Sequence, residues 1–358
     1  MARWRRITGA AGLAAGAAAA GAGAIIAVEK IAVGRLRLRP DPAAAEQFGK
    51  LRGRSLAVLA DDGVSLHTEI NGPDDAPVTI IFCHGYTLNQ DTWHYQRKYL
   101  SAVSRLVFWD HRGHGRSGRS AEHVSIDQLG ADLGAVLRAT VPGDGPVVLV
   151  GHSMGGMTIM ALADQHPELF GTKVIGAVLI STAVSEIDPT VWLPALLRPV
   201  ARHAAPPVLR GAASGRAPAF IERGRNAAGE FAFLTTRLMA FGDPAISPAV
   251  VDFLERIVRS TPIEVVADFY GALVKHNKLD ALRALGQVPV VVVTGDRDRV
   301  VPLRQSENLA AAIPDAELLK VPGAGHAIIL ERPDLINEVI IDLVTQAMAS
   351  RTPRDQSA

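Results

Sequence analysis

Several short runs of the chain are almost wholly apolar: Val78–Cys83, Pro146–Val150, Val174–Ile180 and Val288–Val293. Runs of this length without polar alternation are the pattern of strands buried on both faces. Arg105–Trp109 and Glu317–Val321 are read as further strands, and Leu56–Leu59 with Ser65–Ile70 as a hairpin around Asp62-Gly63. Helical spacing falls between the strands, over Thr92–Val103, Asp127–Ala139 and Ser153–Gln165, the last stopped near Pro167. Helices after Pro302 and around Ile328–Met348 continue the alternation. Strand and helix repeated in this way predict an α/β fold: a mostly parallel, eight-stranded sheet with helices on both faces.

The alternation breaks between Val184 and Leu285, where prolines punctuate several helical stretches. Only Ala249–Val258 and Ile263–Val274 read as ordinary, uninterrupted helices there. The simplest account is a helical unit, residues 184–285, inserted into a core made of residues 51–183 and 286–349. Residues 29–50, with Pro40 and Pro42, read as a linker that can be removed, and residues 350–358 as a flexible tail.

Residues 1–28 read as a signal or membrane-anchor segment. Arg3, Arg5 and Arg6 precede 22 uncharged residues, Ile7–Val28, and a spanning helix needs roughly 20. The run is rich in Ala and Gly, so its apolarity per residue is weak, and the small residues near Gly21–Ala24 also suit signal cleavage. Membrane association through residues 7–28, export, and a cytoplasmic chain with a surface tail stay open. Arg35, Arg37 and Arg39 blur the orientation.

Composition removes other classes. The chain has 358 residues, 48% hydrophobic and 20% charged, which excludes a disordered polypeptide and allows a large core. Cys83 is the single cysteine, so neither an intramolecular disulfide nor a multi-cysteine metal site can form. A net charge of +1 offers no field for nucleic acid. No Gly-x-Gly-x-x-Gly opens the first strand–helix turn, which disfavours a nucleotide cofactor.

The candidate chemistry begins at Gly151-His152-Ser153-Met154-Gly155-Gly156. This is G-x-S-x-G after a buried strand and before a helix, a strained turn that lifts the Ser153 hydroxyl above the sheet. The Met154 N–H stands where a developing oxyanion would form. Downstream, Gly295-Asp296-Arg297-Asp298 follows one strand and Gly323-Ala324-Gly325-His326 another. Together these segments resemble the α/β-hydrolase fold family over about Leu51–Met348. The resemblance implies the order Ser, acid, His. It also implies Asp298 as the acid, because Gly295, Asp298 and Pro302 match the family spacing; Glu186 or Asp188 is the alternative, one strand earlier. It puts the second oxyanion N–H on Tyr86, after Cys83-His84-Gly85, and leaves the Tyr86 phenol free to shape the pocket or to donate to substrate. His84 is then a prop for that loop. Asp110-His111-Arg112-Gly113-His114-Gly115-Arg116-Ser117 resembles the family's bracing loop.

The implied activity is carboxylic ester hydrolysis through an acyl-enzyme, with His326 as base and no metal or cofactor required. C–C bond hydrolysis, cofactor-free oxygenation, perhydrolysis and acyl transfer use the same three side chains and remain open. Epoxide hydrolysis is disfavoured, since an alkyl ether on serine resists water, and a non-catalytic binding module is disfavoured because no triad member is lost. The insert resembles the cap of esterases and lipases. Its apolar residues Trp192, Phe231, Phe241, Phe269 and Tyr270, with Leu196, Leu197, Phe233, Leu238 and Met239, are the candidates for lining a pocket for apolar or lipid-like esters.

Overall fold

A computed structural model describes residues 33–119, 124–185 and 229–351. Eight strands run in the order β1-β2-β4-β3-β5-β6-β7-β8. They are β1 (Arg54–Leu59), β2 (Ser65–Asn71), β3 (Thr79–Cys83), β4 (Arg105–Trp109), β5 (Val147–His152), β6 (Val174–Ile180), β7 (Val290–Gly295) and β8 (Glu317–Val321). The hairpin β1–β2 joins β4 antiparallel, and all later pairings are parallel. Every residue of β3, β4, β5, β6 and β7 is buried, as their unbroken apolar runs require.

Besides the short helical stretch of residues 33–37, ten helices are described: α1 (His94–Leu100), α2 (Ile126–Thr140), α3 (Met154–Gln165), α4 (Gly229–Ala240), α5 (Pro248–Ser260), α6 (Ile263–Val274), α7 (Leu282–Leu285), α8 (Leu303–Ala312), α9 (Ile328–Glu331) and α10 (Pro333–Arg351). One face of the sheet is packed by Leu129 and Leu133 of α2, Met157 and Met160 of α3 and Leu309 of α8. The other is packed by Leu100 of α1 and Ile336 and Ile340 of α10. Helices therefore leave β3 and β5, which are neighbours, toward opposite faces. A crevice opens at the carboxyl ends of such strands, where ligands bind in open α/β sheets.

Two expected helices are divided. Thr92–Val103 becomes a 3-10 turn, Gln90–Trp93, whose N-cap Asn89 accepts from the Asp91 N–H, followed by α1. Ile328–Met348 is split because Pro333 bars the helical conformation at Arg332, which has φ −134° and ψ 57°.

The linker expected over 29–50 is corrected. Its described part, residues 33–50, is a strap lying across α1 and α5. Val33 and Ala43 are buried in the core on that face. Phe48 stacks on Phe253 at a ring separation of 4.5 Å. Glu46 pairs with Lys98 at 2.6 Å and with His94 at 3.1 Å. Asp41 accepts from the Ser247 hydroxyl and, at 3.1 Å, from the Ala249 N–H at the start of α5. Arg37 pairs with Asp252 at 3.1 Å. Pro40 and Pro42 break the helix of residues 33–37 without releasing the chain. The 1–28 segment, Glu186, Asp188 and Trp192 lie outside the described residues, as does the tail beyond residue 351. Among the described residues no helix is long and apolar enough to cross a membrane.

Phe48→Ala should lower the unfolding free energy by about 2 kcal/mol, below the ~3–5 of a fully buried phenylalanine because Phe48 is half-buried. Urea unfolding measures this, and an unchanged midpoint would mean that the Phe48–Phe253 contact contributes nothing to stability.

Candidate active site

β5 approaches α3 and β3 so closely that only glycine fits at the turn. A Cβ on Gly155 would stand 2.0 Å from the Cys83 carbonyl oxygen, and one on Gly151 would stand 2.6 Å from the Gly155 backbone. Between them Ser153 adopts φ 53° and ψ −117°. This is the left-handed side of backbone space, costly for a residue with a Cβ. The turn is held by the Ser153 N–H donating to Ile180 O at 2.9 Å and by the Thr182 hydroxyl donating to Ser153 O at 2.7 Å. Met154 follows as the first residue of α3, so its N–H is among the helix's unpaired donors.

The His326 Nδ1–H donates to Asp298 Oδ2 at 2.9 Å. The other oxygen of Asp298 accepts the N–H groups of Val300 and Val301, both at 2.8 Å. Asp296 is turned elsewhere and accepts the Gly323 N–H at 2.7 Å. The two aspartates thus have different partners, and of the pair it is Asp298 that meets His326. His326 and Ser153 line one cavity of about 280 Å³, and no hydrogen bond joins them in this geometry, a common state of such pairs before substrate binds.

The Gly85–Thr87 loop forms another wall of that cavity. A Cβ on Gly85 would lie 3.3 Å from the Ser153 Cβ, so the loop passes directly over the turn. Thr87, although β-branched, has φ 60°. Its N–H donates to His114 Nε2 at 3.3 Å, and its carbonyl accepts the Thr261 hydroxyl at 2.9 Å. The Tyr86 phenol does not point to a substrate: it donates to the Val266 carbonyl of α6, and burial pushes its pKa up.

Behind this loop sit three buried, neutral histidines. The His84 Nδ1–H donates to Gly85 O at 2.8 Å, and its Nε2 accepts the His111 N–H at 2.9 Å. The His111 Nε2–H donates to His84 O at 3.0 Å. His114 donates from Nδ1 to Arg112 O at 3.0 Å while its Nε2 holds Thr87. Burial lowers the pKa of His84 to about 4 and that of His114 to about 3. The bracing loop is anchored in turn by Arg112, which forks onto Asp132 and Asp62, and by Asp110, which accepts from the N–H groups of Gln90 and Arg116. His152, before the nucleophile candidate, donates from Nε2 to His326 O at 2.9 Å, and burial lowers its pKa to about 3. Among the described residues no cluster of His, Cys, Asp or Glu could hold a metal ion.

Residues 78–333 match the family model described as the alpha/beta hydrolase fold. The chain belongs to this family. The α/β-hydrolase is 27% identical over 300 residues to a bifunctional esterase/perhydrolase from Acinetobacter calcoaceticus, covering 80% of this chain and 98% of the relative. It is 26% identical over 312 residues to a monoacylglycerol lipase from Mycolicibacterium smegmatis, covering 80% and 94%. A thermophilic esterase from Thermogutta terrifontis shares the fold at a TM-score of 0.65 and 22% identity, over 82% of this chain and 98% of the other. The chain is thereby a member of a hydrolase enzyme family.

The cavity of this α/β-hydrolase brings together Ser153, His326 and Tyr86 with Leu88, Thr235, Thr236, Met239, Ala240, Leu254, Val258, Val300 and Ala327. Of the expected pocket aromatics, Phe241 and Phe269 are buried in the two cores instead, Phe269 against His114 at a ring separation of 5.0 Å. Tyr270 on α6 is outside the lining, and Phe231 is placed on α4. Sequence reasoning missed the lining residues Thr235, Thr236, Leu254 and Val258, and the His152 bond to His326. It also missed Glu331, whose one signal was a carboxylate directly after the apolar run Ala327–Leu330.

The histidines set an acid limit on stability. His84, His114, His152 and His276 have folded pKa values of about 4, 3, 3 and 4, below the ~6.5 of an unfolded chain, and His111 is lowered too. Their neutral packing therefore stabilises fully above about pH 6.5. It is lost as pH falls toward 4, because only the unfolded chain takes up protons there. Unfolding at pH 5 should take up between about four and five protons on these five side chains. Calorimetry in buffers of different ionisation heat counts them, and an uptake near zero would show that the rings are charged when folded.

Proposed function

We propose that this protein is a serine hydrolase of carboxylic esters with an apolar acyl group. The carrying observation is that Ser153, strained at its turn, shares an apolar cavity with an imidazole already hydrogen-bonded to a carboxylate. In this reading His326 Nε2 takes the Ser153 hydroxyl proton as Oγ attacks the ester carbonyl. The N–H groups of Tyr86 and Met154 hold the oxyanion. Collapse of the tetrahedral intermediate expels the alcohol, which receives the proton from His326. Water then enters, His326 takes its proton, and a second collapse releases the acid and restores Ser153. Asp298 keeps the ring in the tautomer that exposes Nε2 and stabilises the imidazolium. These groups handle every proton, so the steps call for no metal or organic cofactor.

The volume of about 280 Å³ is at the lower end of ligand pockets, ~300–1,000 Å³. Leu88, Met239, Leu254, Val258 and Val300 line it, which suits a hydrocarbon acyl chain rather than a charged one. The esterase and lipase activities of the relatives support the same class. We read residues 184–285 as a cap over a core of residues 51–183 and 286–349. The relative named as an esterase and perhydrolase favours a second reading, in which hydrogen peroxide replaces water and the product is a peracid.

A fluorophosphonate should add once per chain, at Ser153, by intact mass and peptide mapping. Ser153→Ala should abolish labelling and lower ester turnover by several orders of magnitude at nearly unchanged Tm. Full activity in that variant would sink the serine mechanism. A panel from acetate to palmitate esters, run with and without peroxide, separates acyl preference and perhydrolysis.

Asp298→Asn should reduce kcat roughly 10³–10⁴-fold, far more than Asp296→Asn. The reverse ranking would reassign the acid, and mild effects in both would return attention to Glu186 or Asp188.

A further inference from the structure

Glu331 closes α9 and is buried, yet the chemistry described so far does not use it. Its Oε1 accepts the N–H groups of Gly242 at 3.0 Å and Asp243 at 2.5 Å, and its Oε2 accepts the Gly325 N–H at 2.6 Å. The first two donors belong to the loop that ends α4. The third belongs to the residue directly before His326. One carboxylate therefore ties an insert helix to the histidine loop.

The two segments are in backbone contact along their length. A Cβ on Gly242 would stand 2.5 Å from Gly323 O, and one on Gly325 would stand 2.5 Å from Gly242 N. The Ala327 N–H donates to Ala240 O at 2.8 Å. From outside, Arg332 pairs with Asp243 at 3.0 Å and Arg297 donates to Gly242 O at 3.2 Å. The helix thus anchored, α4, presents Thr235, Thr236, Met239 and Ala240 to the cavity.

We propose that Glu331 is a positioning residue for His326, holding the imidazole loop and the α4 wall of the cavity in one fixed relation. This rests on the reading of Ser153 and His326 as nucleophile and base. A misplacement of about 1 Å at a reacting group can lower a rate ~10²-fold. The carboxylate has acceptors for all three N–H groups. A glutamine has one oxygen and one NH₂, so either the α4 loop or Gly325 would face a donor instead of an acceptor.

Glu331→Gln in the full chain tests this, with active sites counted by fluorophosphonate. The expected result is a kcat per titrated site at least about tenfold lower with KM within about threefold, since Leu88, Leu254, Val258 and Val300 keep most of the apolar lining while the base is displaced. Gly242→Ala provides a second variant: its methyl forces the same segments apart with the carboxylate retained. It should show the same split. A folded variant of either kind with kcat per site within about twofold of the parent overturns the proposal. Failure of both to fold also overturns it, because Glu331 would then be a requirement of folding and not of His326 placement. Ser153→Ala is run alongside. If it keeps activity, the nucleophile reading falls. If it is inactive while Glu331→Gln matches the parent, only the positioning role falls.

Discussion

The closeness of α3 to β3 governs everything at the carboxyl edge of the sheet. With the Gly155 Cα pressed against the Cys83 carbonyl, no side chain can intervene, and the chain must reverse over Gly151–Gly155 in a left-handed step. Ser153 is placed at the apex by that reversal, not by any bond of its own hydroxyl. The same approach brings the end of β3, and hence the Gly85–Thr87 loop, over the serine. It also explains Cys83: burial pushes its thiol up to about 12, so the side chain acts as small apolar packing beneath the turn and not as a reactive group.

Around that apex, one residue type does two kinds of work, and its partners decide which. His84, His111, His114 and His152 donate to backbone carbonyls in buried surroundings and stay neutral. They act as rigid spacers with a donor at one end, and for His84 and His114 an acceptor at the other. His326 instead meets a carboxylate across its Nδ1–H and reaches an open cavity. Only the second arrangement sets a carboxylate behind a ring that faces open space. Counting histidines in the sequence therefore says little, whereas their position relative to strand ends says much.

Much of the frame was legible because the sheet is buried on both faces. β4, β6, β8 and α6 have the bounds their apolar patterns predict, and the glycine-flanked Ser153 and His326 follow strands in the order the fold requires. The aromatic pocket was not legible. An apolar side chain leaves water equally well in a packed core or a cavity wall, so Phe241 and Phe269 could not be distinguished from Leu254 and Val258 by hydrophobicity. The strap was missed for a different reason. Its prolines and charges resemble a loose joint, and its partners Pro244, Ser247 and Asp252 lie more than 200 residues away, beyond any periodicity.

That separation matters during synthesis. Val33, Ala43 and Phe48 leave the ribosome well before α5, one of the two helices on which the strap lies, which comes 215 residues after Arg37, counted to Asp252. At ~5–20 residues per second, the strap waits about 10–40 s for its docking surface. Throughout that interval the strap has α1 to lie on but not α5, so the groups that meet Phe253, Ser247 and Asp252 stay without their partners. Closure of this face is thus a meeting of an earlier-made piece with a later one, and it cannot be completed until the chain has passed Asp252.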